Sequence, residues 1–572
     1  MAGDSTSWQP LQIQPIGGIN SEDNEAMIGD QECQSFTGFG SGTQNFLFDR
    51  QQASTRPGIN SVTITGTVSG ENLGWVAPVQ TYTGNPANAF RTLDSQLIAL
   101  GAGGVNLYTG FNGALSFAAL TPPAGVSIAQ VIAGPYNPLT IQAGLVNGVV
   151  LVGGLNMTLD GTGNYGIARW VPGASAYTQV GGVSPLFICG VLSRGFGAYD
   201  RVATNGQITV EWSVAGDETT WTGSTNGSGL AVLSDAADGI TGLGVVNGVV
   251  VIARYTGFHF GTPTGQAFPA FSFKNYDGST DIGCSWPGTF CVYNNICYFV
   301  GRDNVYTFDT INPPVPIGYK IRSLLLSSLL RAGNYNTTDI HYVGFVSNGQ
   351  SAAGLLGNGV VYTNPARPRY HLVPIQGPIN TPSTAYPHFS YDILTGVWSV
   401  HIYSTSWSFA FPLNVNATNY TSGVSAADNT GTQTIGFLQS TYVSSPTINF
   451  WDENQPCEVQ AVLKTKTFRP GTFDRDYSLR RLMLSFRNQS SALNIGVAVK
   501  GTLGANLIVA SAVYNPTLPG GSLGLWIRDW IDGLNQTYGQ NINVNITTTA
   551  GTALMIDCIT LELVESGGLR GY

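Results

Sequence analysis

The sequence predicts an all-β protein: a β-propeller, with an irregular N-terminal arm before it and a C-terminal antiparallel β-sandwich after it. Three observations carry this reading. Helical periodicity is almost absent over 572 residues. One hairpin pattern recurs four times between residues 95 and 309. After about Pro456 that pattern gives way to clean period-two alternation. The expected units are an arm over 1–60, a propeller with inserted connections over 61–454 and a sandwich over 455–572.

Residues 1–60 are irregular and Gly-rich, and read as an arm laid across another surface. The repeated units are Ser95–Gly110, Asn147–Gly161, Asn247–Gly261 and Asn295–Asp309. Each opens on a polar turn, runs through four or five apolar residues, breaks, and continues as an aromatic-bearing strand. A continuous apolar run suits a strand covered on both faces. One such hairpin cannot bury its own apolar face, whereas several packed radially can. Their uneven spacing implies further blades that have lost the pattern. Two stretches carry helical spacing: Ile321–Gly333, with a leucine stripe ending on glycine, and Leu525–Leu534, where Trp526 and Trp530 lie four apart. In the C-terminal unit "EVQAVLKTKTFRPG", "RRLMLSFRN", "LNIGVAVKG" and "ALMIDCITLELVES" alternate as half-buried strands do.

Composition narrows the function classes. Charged residues are 10% of the chain and hydrophobic ones 43%, which excludes a disordered polyelectrolyte. The net charge of −9, without a Lys/Arg cluster, argues against tight nucleic-acid binding and against an anionic-membrane patch. Seven cysteines (33, 189, 284, 291, 297, 457 and 558) are irregularly spaced and contain no C-x-x-C. They read as small apolar fillers, with Cys291 and Cys297 the one local pair to examine, and no metal site is expected. The opening "MAGDSTSWQPLQ" lacks a basic stretch followed by an apolar one, and no apolar run reaches a membrane-spanning length. The expectation is a chain made in the cytoplasm. The eight N-x-S/T sequons, at Asn156, 226, 336, 416, 419, 488, 535 and 545, are then chance in an Asn/Thr-rich sequence.

Catalytic constellations are not evident. H-E-x-x-H and phosphate-loop patterns are missing, and "GFGSGT" falls one glycine short of a dinucleotide fingerprint. The histidines, at 259, 341, 371, 388 and 401, lie far apart on strand-like stretches and read as surface or satisfied side chains. Glycosidases need two carboxylates at a set gap. Adjacent Asp217 and Glu218 would face opposite ways on a strand, and in a turn Asp217 suits an Asx acceptor; Asp235 and Asp238 have the same turn character. Trp212, Trp221, Trp398 and Trp407 would serve sugar stacking if exposed, yet blade packing accounts for them equally. No catalytic, cofactor-binding or metal-ligating residue is assigned, and no enzyme activity is expected. The stretch "VEWSVAGDETTW", with Ser213, Gly216, Asp217 and Trp221, resembles the Asp-box turn of sialidase propellers with its residues out of order. That turn is structural in sialidases too, and their arginine cluster and Tyr/Glu pair have no counterpart here.

Taken in order, several segments resemble the nozzle (tail tube, or hub) proteins of short-tailed bacteriophages. These are "GGINSEDNEAMIGDQECQSFTGF" with "NFLFDRQQASTRPG", "DRVATNGQITVEWSVAGDETTW", "LSDAADGITGLGVVNGVVVIAR", "IGCSWPGTFCVYNNICYFVGRDNVYTFD", "PIGYKIRSLL", "YDILTGVWSV" and the tail "ELVESGGLRGY". Singly they are weak; their order spans most of the chain. Gly520–Gln540 is longer than the family's connection and is a place where a neighbouring subunit or fibre would dock.

The resemblance implies a structural virion protein of the tail. It would be a homo-hexamer below the portal and adaptor ring, attached to fibres or spikes, and a conduit for genome ejection touching DNA only transiently. The C-terminal sandwich would be its platform or tip. Six copies at −9 each would carry −54, so acidic and Asn/Gln/Thr side chains are expected to line the lumen and leave few counterion-releasing contacts. The propeller, its axis expected to be filled by strand ends, would lie outside that tube. The rival reading is a receptor- or carbohydrate-binding spike or lectin-like propeller.

Overall fold

The computed structural model describes residues 9–23, 27, 29–34, 42–48, 53–56, 60–67, 73–83, 92–101, 106–110, 116–129, 141–159, 166–221, 227–235, 238–278, 281–331, 340–347, 354–355, 361–362, 368–376, 387–403, 407–415, 418–425, 433–438, 451–452, 457–458, 461–469, 476–488, 495–503, 506–514, 526–531, 538–539, 541–548 and 554–567.

Seven four-stranded antiparallel sheets form the larger part of the described chain. Blade 1 comprises Leu73–Thr83, Thr92–Gly101, Leu107–Gly110 and Phe117–Ala119, and blade 2 Ala143–Val146, Val149–Val152, Gly166–Trp170 and Tyr177–Gly181. Blade 3 comprises Pro185–Val191, Arg194–Asp200, Thr209–Trp212 and Gly229–Val232, and blade 4 Ile240–Val246, Val249–Arg254, Phe258–Pro263 and Phe271–Asn275. Blade 5 comprises Cys291–Tyr293, Ile296–Val300, Val305–Phe308 and Val315–Pro316, and blade 6 Ile340–Ser347, Arg369–Gln376, His388–Asp392 and Val397–His401. Blade 7 takes three strands from Trp407–Val415, Thr418–Ser425 and Thr434–Leu438, and its fourth, Asn60–Thr63, from far upstream. The first strand of each blade packs on the first strand of the next, and that of blade 7 returns to blade 1. This closed ring is a β-propeller. The upstream strand ties its two ends together by ladder hydrogen bonds, and it straddles the expected 60/61 boundary.

Each gap between blades is filled by apolar side chains from both neighbours. Between blades 2 and 3 these include Leu151, Ile167, Ile188 and Trp221, and between blades 3 and 4 Phe187, Phe196, Trp212 and Phe271. The continuous apolar runs of the repeat, such as Val149–Val152, are buried throughout because a blade faces a neighbour on each side. At roughly 25 cal/mol per Å² buried, these interfaces are the main source of rigidity.

In blades 2 to 5 the first two strands are joined by two-residue turns with both residues at positive φ: Asn147–Gly148, Leu192–Ser193, Asn247–Gly248 and Asn294–Asn295. Such turns match the twist of the strands they join and favour Asn and Gly. Leu192–Ser193 breaks that rule.

Three of the four repeats are hairpins within a blade, formed by the second and third strands. The exception is Asn147–Gly161, whose second strand, Asn156–Leu159, leaves the blade and pairs with Val126–Ala129. The third strand of blade 2 is Gly166–Trp170 instead. The helix expected over Ile321–Gly333 is present at Arg322–Arg331 behind a short 3-10 turn. The one expected over Leu525–Leu534 is not: Trp526–Ile531 is a strand paired with Leu482–Arg487. A four-residue spacing also satisfies period two, and a long neighbouring strand supplied the ladder. No helix among the described residues is long and apolar enough to cross a membrane.

The C-terminal part is a sandwich. One sheet holds Val462–Lys464, Asn541–Thr548, Ile495–Leu503 and Asn506–Tyr514. The other is centred on Asp476–Asn488 and Leu554–Gly567, and the arm completes it: Gln9–Ile13 and Ala53–Thr55 both pair with Leu554–Gly567, and Phe46–Phe48 lies beyond. Alternation decides which rows face inward, with Ile542, Val544 and Ile546 opposing Leu482, Leu484 and Phe486 in one core. That core continues without a break into blades 5 and 6 through Phe46, Phe48, Trp398 and Val400.

Candidate functional site: the propeller axis and the blade corners

The first strands surround a cavity of about 240 Å³ on the propeller axis, and all seven blades contribute to its wall. Trp75, Phe187, Phe290, Phe345, Phe409 and Phe411 are among its lining residues. No ionisable side chain lies in this lining. Gln142, one of its polar groups, uses its Oε1 to accept the Ile188 N–H at 3.2 Å. The axis is therefore narrowed by aromatic rings and not closed by strand ends, contrary to the sequence expectation. Glycines at Gly242, Gly288 and Gly344 leave room on the wall, since a Cβ on Gly242 would meet Phe290 at 2.9 Å. The chamber can hold an apolar group, and its lining carries no carboxylate, imidazole, thiol or amine.

Between blades 2 and 3 lies the corner Val210–Trp221. Val210 and Trp212 end the third strand of blade 3 buried, with the Trp212 ring stacked on Phe196 at 6.3 Å and its indole N–H donated to the Gly227 carbonyl at 3.1 Å. Ser213 Oγ accepts the Gly195 N–H at 2.9 Å. The chain reverses through Gly216, whose φ of +78° excludes most side chains, and the Gly216 N–H is donated to the Ser193 carbonyl at 2.8 Å. Asp217 then accepts the Thr219 N–H at 2.9 Å, the Thr219 hydroxyl at 2.6 Å and the Thr220 hydroxyl at 2.7 Å. These bonds, the Thr219 hydroxyl foremost, hold its carboxyl below the usual aspartate range. Glu218 turns the other way and meets the Arg169 guanidinium of blade 2 at 2.7 Å. The Trp221 indole is donated to the Glu218 carbonyl at 2.8 Å and its ring is buried against blade 2. The two carboxylates face different partners, and the stretch fastens one blade to the next.

Asp235 and Asp238 differ from their expected role as local turn acceptors. Asp235 reaches His259 at 2.7 Å, and Asp238 meets Arg254 at 2.9 Å while accepting the Thr256 N–H and hydroxyl at 2.8 and 2.9 Å. The turn after blade 3 is thereby tied to the second and third strands of blade 4. His259, though between two phenylalanines, is buried, and burial lowers its pKa against the opposing pull of Asp235. Trp398 and Trp407, like Trp212 and Trp221, are buried and offer no sugar platform. Cys291 and Cys297 are both free thiols on neighbouring strands. Gly520–Leu525 and the side chains of Cys457 and His341 lie outside what the structure describes.

The histidines give the largest departure from the sequence reading. His371, His388 and His401 converge on one face of blade 6, fully buried. Ring nitrogens of His371 and His388 are 3.0 Å apart, and the other His388 nitrogen is 3.2 Å from the Tyr403 hydroxyl. Ser347 meets His371 at 3.1 Å and Ser390 meets His401 at 3.0 Å. Burial, reinforced by Arg56, pushes His388 down to about 3. Burial holds His371 and His401 well below the ordinary imidazole value, aided by His388 and then by the arginines. Arg56 caps the group, 4.3 Å over the Tyr403 ring. Sequence separations of 13 to 30 residues hid this cluster. The signal was their common parity across three consecutive strands, legible only once the register is known.

No protein-family model and no curated protein matches the chain. Among solved structures, it is similar to the N-terminal domain of Nup159, at 10% identity and a TM-score of 0.31, covering 68% of this chain and 96% of that one. It is also similar to YCF48 from Cyanidioschyzon merolae, at 10% identity and a TM-score of 0.29, covering 56% and 97%. A third is the Trypanosoma rangeli sialidase in complex with sialic acid, at 9% identity and a TM-score of 0.27, covering 88% and 96%. Likeness at this level transfers no activity.

Proposed function

We propose that this protein is a structural component of a short-tailed bacteriophage virion. Its subunits form the tail nozzle or hub ring below the portal and adaptor, conduct the ejected genome and carry fibres or spikes. The family resemblance in the ordered sequence segments is the starting point. The observation that carries the architectural part is where the propeller's ionisable groups go. Arg169–Glu218, Arg254–Asp238 and His259–Asp235 each join separate strands or blades, and the axial chamber is lined without ionisable side chains. In these three pairs polar chemistry is spent on holding strands and blades together, which suits a scaffold. The role is accordingly non-catalytic, and the ring lumen is formed between subunits, outside the narrow apolar axis of each propeller.

Sedimentation of the purified full-length chain tests this reading, together with imaging of particles that contain it. The expected result is an assembly of six 60.4 kDa subunits and density below the portal. A chain that stays monomeric at micromolar concentration and binds a glycan would overturn the nozzle in favour of a free receptor-binding propeller.

A further inference from the structure

The histidine cluster of blade 6 lies beside the joint that holds propeller and sandwich together. His401 is flanked by the two residues that form that joint. The Val400 carbonyl accepts the Asn45 N–H at 2.8 Å, and the Ile402 N–H is donated to Asn45 Oδ1 at 2.8 Å. The Ile402 carbonyl accepts the Arg56 guanidinium at 2.8 Å, and Arg56 Nε is donated to Asn45 Oδ1 at 2.9 Å. From there the arm enters both sheets of the sandwich. Gln44 and Val462 exchange backbone bonds at 2.8 and 3.0 Å, Ala53 and Ser54 pair with Ile556 and Met555, and Thr55 Oγ1 accepts the Leu554 N–H at 3.1 Å.

We infer that this joint is an acid-labile latch: protonation of His371, His388 and His401 places like charge beside Arg56 and releases the arm, and the sandwich with it, from blade 6. The hydrogen-bond chain Ser347–His371–His388–Tyr403 tolerates an extra proton on at most one of its two rings, because where two ring nitrogens meet at 3.0 Å one donates and the other must accept. A proton on the accepting nitrogen as well sets two donors against each other and breaks that contact. The charged and titratable groups facing the cluster oppose a second cation. They are Arg56 from the arm, Arg369 from the second strand of the same blade, and the Tyr403 phenol. Asp392, the nearby carboxylate, is already engaged by Arg369 at 3.6 Å and by the N–H groups of Leu394 and Thr395.

The direction follows from linkage. Imidazoles depressed in the closed state take up protons on opening, so the latch is at full strength above the free-histidine value, about 6.5, and weakens as pH falls below it. Each proton bound on opening raises the open-to-closed ratio up to tenfold per pH unit, and three raise it up to roughly a thousandfold.

Hydrogen–deuterium exchange of the full chain at pH 7.5, 6.5 and 5.5, corrected for the intrinsic exchange rate, tests this. Residues 44–56 and 397–403 should lose at least tenfold in protection between pH 6.5 and 5.5 while blades 2 to 4 keep theirs. His388→Gln should lower that pH dependence by about tenfold per unit. Should this variant fail to fold, carbon-detected titration of histidine-labelled wild type decides: three of the five imidazoles should stay neutral to pH 5.5 in molecules with a closed latch. Unchanged protection at pH 5.5 would sink the latch. So would its loss in step with every blade, or ordinary titration near 6.5 in the intact fold.

Discussion

Single residues in this protein are placed by what their polar atoms can reach. Asp217 satisfies two hydroxyls and one N–H within its own turn. Asp217→Ala should therefore lower stability by about 1–2 kcal/mol, read from denaturant or thermal unfolding. Glu211 is the opposite case. It is 3% exposed in the third strand of blade 3, and burial, with Asp200 nearby, raises its pKa well above the usual value. The folded carboxyl thus stays protonated where the unfolded one ionises. Its contribution is most favourable below about pH 4.5 and declines as pH rises towards the folded value. Glu211→Gln should raise the melting temperature at pH 8, and the gain should shrink towards zero near pH 4. A gain independent of pH would show that charge is not the cause.

Elements obey turn chemistry as much as apolar pattern. Blades 2, 4 and 5 use Asn-Gly or Asn-Asn where both turn residues need positive φ, whereas blade 3 forces Leu192 and Ser193 into that region with φ of 46° and 60°. Leu192 is 61% exposed, so its side chain contributes little packing. The left-handed conformation costs an ordinary residue about 1–2 kcal/mol. Replacing the pair by Asn-Gly should stabilise the chain by about 1 kcal/mol, visible as a higher unfolding midpoint at unchanged m-value. The segment Trp526–Ile531 gives the converse lesson. Its tryptophan spacing fits helix and strand alike, and the thirteen-residue partner Asp476–Asn488 decided between them.

At the scale of the whole molecule, the arm binds the parts. It gives a strand to blade 7 and three strands to the sheet around Leu554–Gly567, and it pins blade 6 through Asn45 and Arg56. Asn45→Ala removes a side-chain oxygen that accepts both Arg56 and Ile402. Unfolding of this variant should separate into two transitions in calorimetry, because the sandwich loses its main polar tie to the propeller; a single cooperative transition would contradict that role.

What the sequence determined by itself was the choice of element and the direction of burial. Apolar runs between polar turns can only be strands covered on both faces, and alternating runs after Pro456 can only be strands covered on one. These are local rules, so the all-β class, three of the four proposed hairpins and the Asx role of Asp217 were legible. Tertiary structure decided whatever depends on register and closure. Blades 3, 6 and 7 carry the same architecture without the repeated pattern, since burial by neighbours replaces it. Asp238 found Arg254 across a blade, and three histidines on separate strands became one cluster. Pairing between distant strands is set by the summed packing of the closed ring, and no window of sequence contains that sum.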